Sequence, residues 1–297
     1  MYDDFIFEKQ VSIANINLNY YRYLQASINE EGLAKFVMQN ILKGLTLYDI
    51  DDKLSKQILQ KIIQIRIKNH KNIKSGYIGS DSELFYVGFL DAVLHHKILS
   101  KNNSLEYASM GIDILSLSET LMQLSEVKSS YQNKKGNNQI KIMEAINSVL
   151  CKESKVLDQS NDLLMSIVHD KGLSEKDKEV VRNFIKGYIT SDIDFEEHII
   201  QELKKDKLQI NLCIITKDNI FIESLISQLE NKYINKYCKG KSSCKLYSTC
   251  QSSRIHMLFE PDAIPLKINI YHILLDMQFT NLGYYKQLLK EVEQYAN

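Results

Sequence analysis

Proline is almost missing from this chain. Pro261 and Pro265 are the only two in 297 residues. The first 260 residues therefore lack the residue that interrupts a helix at a cost of about 3 kcal/mol. That scarcity points to a mainly helical protein. Tryptophan is absent while tyrosine reaches 17, a supply that suits interfaces where a ring is buried and its hydroxyl stays wet. Net charge is absent too. Lys+Arg and Asp+Glu both number 37, which removes any global attraction to nucleic acid or an anionic membrane and leaves only local patches.

Long apolar runs are missing as well. "NLCII" and "YHILL" fall far short of the roughly 20 residues of a membrane span, so no membrane association is expected. The opening "MYDDFIFEKQ" has neither the basic start nor the apolar stretch of a signal peptide. Five cysteines, an odd number spread over a long chain, do not form a disulfide framework. A reduced, cytoplasmic protein is expected. The chain contains no G-x-S-x-G, Walker loop, G-x-G-x-x-G or H-E-x-x-H, and the cofactor is unknown, none being strongly implied.

What is present is periodicity. "EGLAKFVMQNILK" sets Leu33, Phe36, Val37 and Ile41 at helical spacing, and "DDKLSKQILQKIIQIRIKNH" sets Leu54, Ile58, Ile62 and Ile65 on one stripe. "SDSELFYVGFLDAVLHHKIL" opens with Ser80 three residues before Glu83, the spacing of a capping box, and its apolar body predicts a buried helix. "SLEYASMGIDILSLSETLMQLSEVKSS" continues as a long helical pattern. "LSEKDKEVVRNFIKGYI" opens on a Ser174–Asp177 cap. Only "FIFEKQVSIANINLNYYRYL", near the start, leaves room for one or two strands.

The character changes at Leu208, where "LQINLCIIT", "KLYSTC", "RIHMLFE" and "LKINIYHILLDMQF" alternate or run like strands around helical stretches. The expected architecture is mainly α: a multi-helix domain over 1–206, then a small α+β domain over 207–297. The second domain has the order β-α-β-β-β-α and a mainly antiparallel sheet.

Four groups of residues carry possible chemistry. Cys238, Cys244, Cys250 and His256 recur every six residues, which suggests a metal motif. Structural zinc prefers tight C-x2-4-C pairs, however, and two residues six apart on a strand lie about 20 Å from each other. The same segment holds Lys239, Lys241, Lys245 and Arg254 with no acid from 238 to 256, a pattern that can bind phosphate or a nucleic-acid backbone. Asp91 and His95 stand four apart on an expected helix and could share a metal with His70. His169 with Asp170, on a long helical pattern ahead of the strand-rich region, is the remaining candidate for chemistry.

Two of these stretches have a family likeness. "SELFYVGFLDAVLHHKIL", with His70 upstream and "GIDIL" downstream, resembles the central helix region of HD-type phosphohydrolases and their inactive HDOD relatives. Asp91 precedes the histidines and no His-Asp pair stands at the required place, so the resemblance fits an HDOD-like scaffold better than a metal-dependent hydrolase. The His169-Asp170 segment, followed by "FEPD" and "NLGYYKQLLKE", resembles the layout of sensor-kinase-like phosphotransfer proteins, without their glycine-rich ATP boxes.

The composition and missing motifs favour a non-enzymatic regulatory or interaction protein of the signalling-adaptor type. Its helical domain would bind a protein partner or small ligand, and its α+β domain would dimerise or relay. A homodimer is expected from the general prevalence of two-fold assemblies. An HD-type phosphohydrolase and a nucleic-acid binder using 238–256 are the alternatives.

Overall fold

The computed structural model describes residues 5–13, 16–24, 30–45, 52–69, 75–101, 113–119, 121–130, 173–190, 201–202, 205, 207–216, 268–275 and 282–294. In chain order these form β1 (Phe5–Ile13), β2 (Ile16–Tyr23), α1 (Glu30–Leu45), α2 (Asp52–Lys68) and α3 (Ser75–Ala92). Then follow β3 (Lys97–Lys101), β4 (Ile114–Ser118), β5 (Leu121–Ser130), α4 (Glu175–Thr190), β6 (Leu208–Thr216), β7 (Ile268–Leu274) and α5 (Leu282–Gln294).

The seven strands make one sheet in the order β1-β2-β7-β6-β5-β4-β3. β2, β7, β6 and β5 pair in parallel, while β1 and β4 run antiparallel to their neighbours. The expectation of a mainly α, all-alpha body is therefore wrong. This is an α/β fold, and five of its strands precede residue 207. Nor is the later sheet mainly antiparallel, since β6 is flanked by parallel partners on both sides. Strands from both sides of residue 206 share the sheet through the β5–β6 and β2–β7 pairs.

The misread segment shows why. Ile114, Leu117, Leu121 and Leu124 are spaced three, four and three apart, which imitates a helical stripe. They instead belong to a hairpin in which Ser118 pairs with Leu121 across a two-residue loop. Such loops usually announce themselves with Asn-Gly or Asp-Gly. Here Glu119 adopts the left-handed conformation, with φ of 53°, so the ordinary turn signal is missing.

Helices cover both faces of the sheet. On one face Tyr23, Cys213, Ile215, Tyr271 and Ile273 pack with Leu33 and Val37 of α1, Ile63 of α2, Phe85 and Phe89 of α3, and Tyr284 and Leu288 of α5. α3 crosses α1 at Gly88, where an added Cβ would meet Asn40 Nδ2 at 2.2 Å and the Phe36 ring at 2.5 Å. The other face buries Leu18, Ile270, Ile210, Leu212 and Leu124. α4 lies on that side. It is placed there by its packing on β5 and by an ion pair from Asp177 to Lys97, whose pairing partner Leu117 points the same way. The chain crosses the sheet in one direction from β2 to β3 and in the other from β5 to β6. Right-handed crossovers in opposite directions place their helices on opposite faces, which is the observed arrangement of α1–α3 and α4.

α4 begins as its sequence requires. The backbone N–H of Ser174 donates to Asp177 Oδ2 at 2.8 Å, and Asp177 N–H donates back to Ser174 Oγ at 3.2 Å. α3 does not begin at its expected cap, because the helix already starts at Ser75 and Ser80 is buried within it. Among the described residues no helix is long and apolar enough to cross a membrane.

One buried ion pair ties the helix layer together. Arg66 of α2 donates from Nη1 to Asp81 Oδ1 of α3 at 2.6 Å, and Tyr285 of α5 donates its hydroxyl to Asp81 Oδ2 at 3.1 Å. Burial alone would lower the Arg66 pKa, but Asp81 together with Tyr285 and Tyr284 more than offsets it and the net shift is upward. Removing one partner of such a pair leaves an uncompensated buried charge, at about 3–5 kcal/mol. Asp81→Ala should lose that much stability in urea unfolding, whereas Tyr285→Phe should lose about 1 kcal/mol. Equal losses would show that Asp81 does not compensate the guanidinium.

Candidate functional site

Two seams of polar side chains run through the interior. On the face carrying α1–α3 and α5, Ser12, Asn17, Asn269, Asn211 and Gln123 form a row across β1, β2, β7, β6 and β5. Ser12 Oγ donates to Asn17 Oδ1 at 3.0 Å, Asn17 Nδ2 to Asn269 Oδ1 at 3.4 Å, Asn269 Nδ2 to Asn211 Oδ1 at 3.3 Å, and Asn211 Nδ2 to Gln123 Oε1 at 2.7 Å. Register alone brings them together, since Asn17, Asn269 and Asn211 face one another in the parallel pairs. Beyond Gln123 the row continues into Ser116, whose hydroxyl lies 3.3 Å from His96 Nδ1.

On the opposite face, His272 Nε2 lies 2.7 Å from Thr216 Oγ1, and the Tyr20 ring meets the imidazole edge-on at 5.4 Å. Farther along, Glu126 pairs with Lys128, and Asp113 accepts the Val127 N–H at 2.7 Å. Burial first, then Glu126 and Glu83, push the Asp113 carboxyl well above its ordinary range. Most of these groups are enclosed, although the Ser12–Asn17 end of the row is exposed. Asn211, Gln123, Ser116, Thr216, His272 and Glu126 are all buried, so they specify strand register and neutralise one another more readily than they meet a ligand.

The sequence candidates fall differently. Asp91 occupies the last turn of α3 and is half-buried. His95 lies beyond the helix end, exposed, with φ of 56°, and the amide of His96 returns to the carbonyl of Leu90 at 2.9 Å. The helix ends at Ala92, so Asp91 and His95 do not form the i, i+4 pair expected of them. The buried histidine here is His96, which sequence reading passed over; its neighbour His95 carried the helical spacing. Among the described residues no group of three His, Cys, Asp or Glu is placed to hold a metal. His70, His169, Lys239, Lys241, Lys245, Arg254, Cys238, Cys244, Cys250 and His256 lie outside the described residues. Cys213, a buried free thiol on β6, has its pKa raised well above the ordinary value by burial.

The outer surface holds another feature. Five large hydrophobic side chains stand exposed among the described residues, and all five lie on two elements: Ile6 and Phe7 on β1, and Leu54, Ile58 and Ile65 on α2. β1 is an edge strand with no strand on its outer side among the described residues. On α2, the stripe read from the sequence as an apolar face is the outward one. Leu59, Ile63 and Arg66 turn into the core instead.

No protein-family model matches the chain, and no curated protein or solved structure matches it. The HD-type and sensor-kinase likenesses therefore rest on their residues alone.

His272 and His96 both have pKa values lowered to about 4, chiefly by burial and for His96 also by His95. A folded pKa below the unfolded value of about 6.5 means that the unfolded chain binds the proton first. The stability these histidines contribute is complete above about pH 6.5 and is lost as pH falls toward 4. Between pH 7 and 5 each should withdraw about 2 kcal/mol. The raised carboxyl of Asp113 acts with the opposite sign. The His272→Gln variant isolates the histidine effect: its urea stability should fall about 2 kcal/mol less than wild type over that interval, and a parallel fall would show that His272 does not titrate this way.

Proposed function

We propose that this is a non-enzymatic regulatory or interaction protein, a cytoplasmic adaptor that pairs with a second copy of itself and docks a protein partner. The observation that carries the reading is the confinement of every exposed large hydrophobic among the described residues to β1 and α2. Scattered apolar side chains need no explanation, but clustered ones support contact surfaces. Partner docking stays within residues 1–206, on α2, as the sequence reading had it, whereas self-pairing moves from the 207–297 region to the edge of β1.

β1 suits a second copy because an open strand edge is a template for another strand. Ile6 pairs with Arg22 and Phe7 with Tyr21, so the two exposed side chains stand on opposite faces of the sheet edge. A β1 laid antiparallel along that edge would cover both. The cytoplasmic setting rests on the cysteine pattern and on the free thiol of Cys213.

Sedimentation velocity of the full chain tests the reading. It should report a dimer whose dissociation constant rises about tenfold or more in Phe7→Lys, because a lysine ammonium cannot be buried at that edge without a partner. Replacing Ile58 by Ser should leave the dimer intact. A monomer at every concentration, or a dimer indifferent to Phe7→Lys, would overturn it.

A further inference from the structure

The outer face of α2 is built in a way that selects its occupant. Leu54, Ile58 and Ile65 are 50%, 48% and 43% exposed, and Ile62 lies half-buried beside them. At 1.5 Å per residue the stripe is about 16 Å long. That is three helical turns, the length of apolar anchor row that helix-in-groove recognition uses. At 3.6 residues per turn Lys61 and Lys68 fall along the same flank of the stripe, outside Ile65. Gln57 and Gln64 extend that flank, and all four side chains are exposed. No acid occurs from Lys53 to Lys74. Neither Lys61 nor Lys68 is in an ion pair among the described residues, although Lys35, Lys97, Lys128, Lys178 and Lys205 all are.

This charge pattern decides between occupants. Two copies of α2 packed antiparallel would set the Lys61–Lys68 flank against itself, and like charges facing each other across an interface oppose association. A partner helix with an apolar stripe and acidic residues on one flank would instead cover the aliphatic side chains and answer both lysines. Resting on the interaction reading above, we infer that α2 is the docking site for an acidic amphipathic helix of a partner protein. The apolar stripe supplies the buried area, and Lys61 and Lys68 set which helices are accepted and how they lie.

Fluorescence anisotropy with the full chain tests this. The probes are a labelled amphipathic helical peptide with leucines at the stripe spacing and glutamates along one flank, and a twin with lysines in place of those glutamates. The glutamate peptide should bind about tenfold or more tightly than its twin, with affinity falling as salt rises. Ile58→Ser should weaken it about tenfold. A Lys61→Glu/Lys68→Glu variant should reverse the preference between the twins. All three substituted positions are exposed, so thermal melting should stay near wild type.

Equal affinity for the twins, no binding of the glutamate peptide, or a charge-swapped variant that keeps the original preference would overturn the inference. Sedimentation of the protein with phosphatidylcholine–phosphatidylserine vesicles, uncompeted by the glutamate peptide, would also overturn it by assigning the basic stripe to anionic lipid. If Ile58→Ser weakens both peptides while the charge swap does nothing, the acidic partner fails and the docking surface stands. The dimer measured by sedimentation tests the broader reading separately.

Discussion

The parallel pairing of β2 with β7 is the constraint on which the rest of the fold depends. It joins residues 16–22 to residues 268–274, segments some 250 positions apart in the chain. A parallel strand buried on both faces needs cover on both sides, because its side chains alternate between them. Tyr21 and Tyr23 therefore require the α1–α3 and α5 layer, and Leu18 and Ile270 require cover on the other face. The amide row reinforces that pairing. Shifting β2 by one residue would turn Asn17 away from Asn269 and bring Leu18 into its place, leaving half-buried amides without their partners.

The helix layer depends on a few contacts of a different kind. An aromatic cluster links β1, β2, α1, α3 and β7: Phe5 lies 5.6 Å from Phe36 and 5.1 Å from Phe89, and Tyr271 lies 5.8 Å from Phe89. Such contacts tolerate small shifts, since aromatic pairs accept a range of tilts and distances. The Arg66–Asp81–Tyr285 network does not tolerate them, because three helices must present their groups within hydrogen-bond reach. Non-directional burial thus holds the layers together, and one directional buried contact sets how α2, α3 and α5 sit. The setting matters for function because the same rotation that buries Leu59, Ile63 and Arg66 turns Leu54, Ile58 and Ile65 outward.

Legibility followed the range of the physics. The Ser174–Asp177 cap, the α1 periodicity and the β-rich "LQINLCIIT" were readable because each is decided within a few residues. The β4–β5 hairpin was not: its leucines imitate a helical stripe and its turn uses Glu119 at positive φ. The helical pairing of Asp91 with His95 was misleading for a related reason. The spacing of Asp91 and His95 has meaning only on a continuous helix, and α3 ends at Ala92. Its neighbour His96, with no pattern of its own, received its buried position from packing against β4.

The sequence by itself determined which segments are amphipathic, where α4 starts, that β6 and β7 are strands, and that α2 carries the stripe Leu54–Ile58–Ile62–Ile65. Only the tertiary structure decided that this stripe faces outward. A helix with two apolar faces contains no local instruction about which one is buried, and the buried face is the one on which Arg66 meets Asp81 and, through it, Tyr285. The sheet order was likewise decided by tertiary structure, because pairing β2 with β7 is a contact across some 250 residues that no local spacing records.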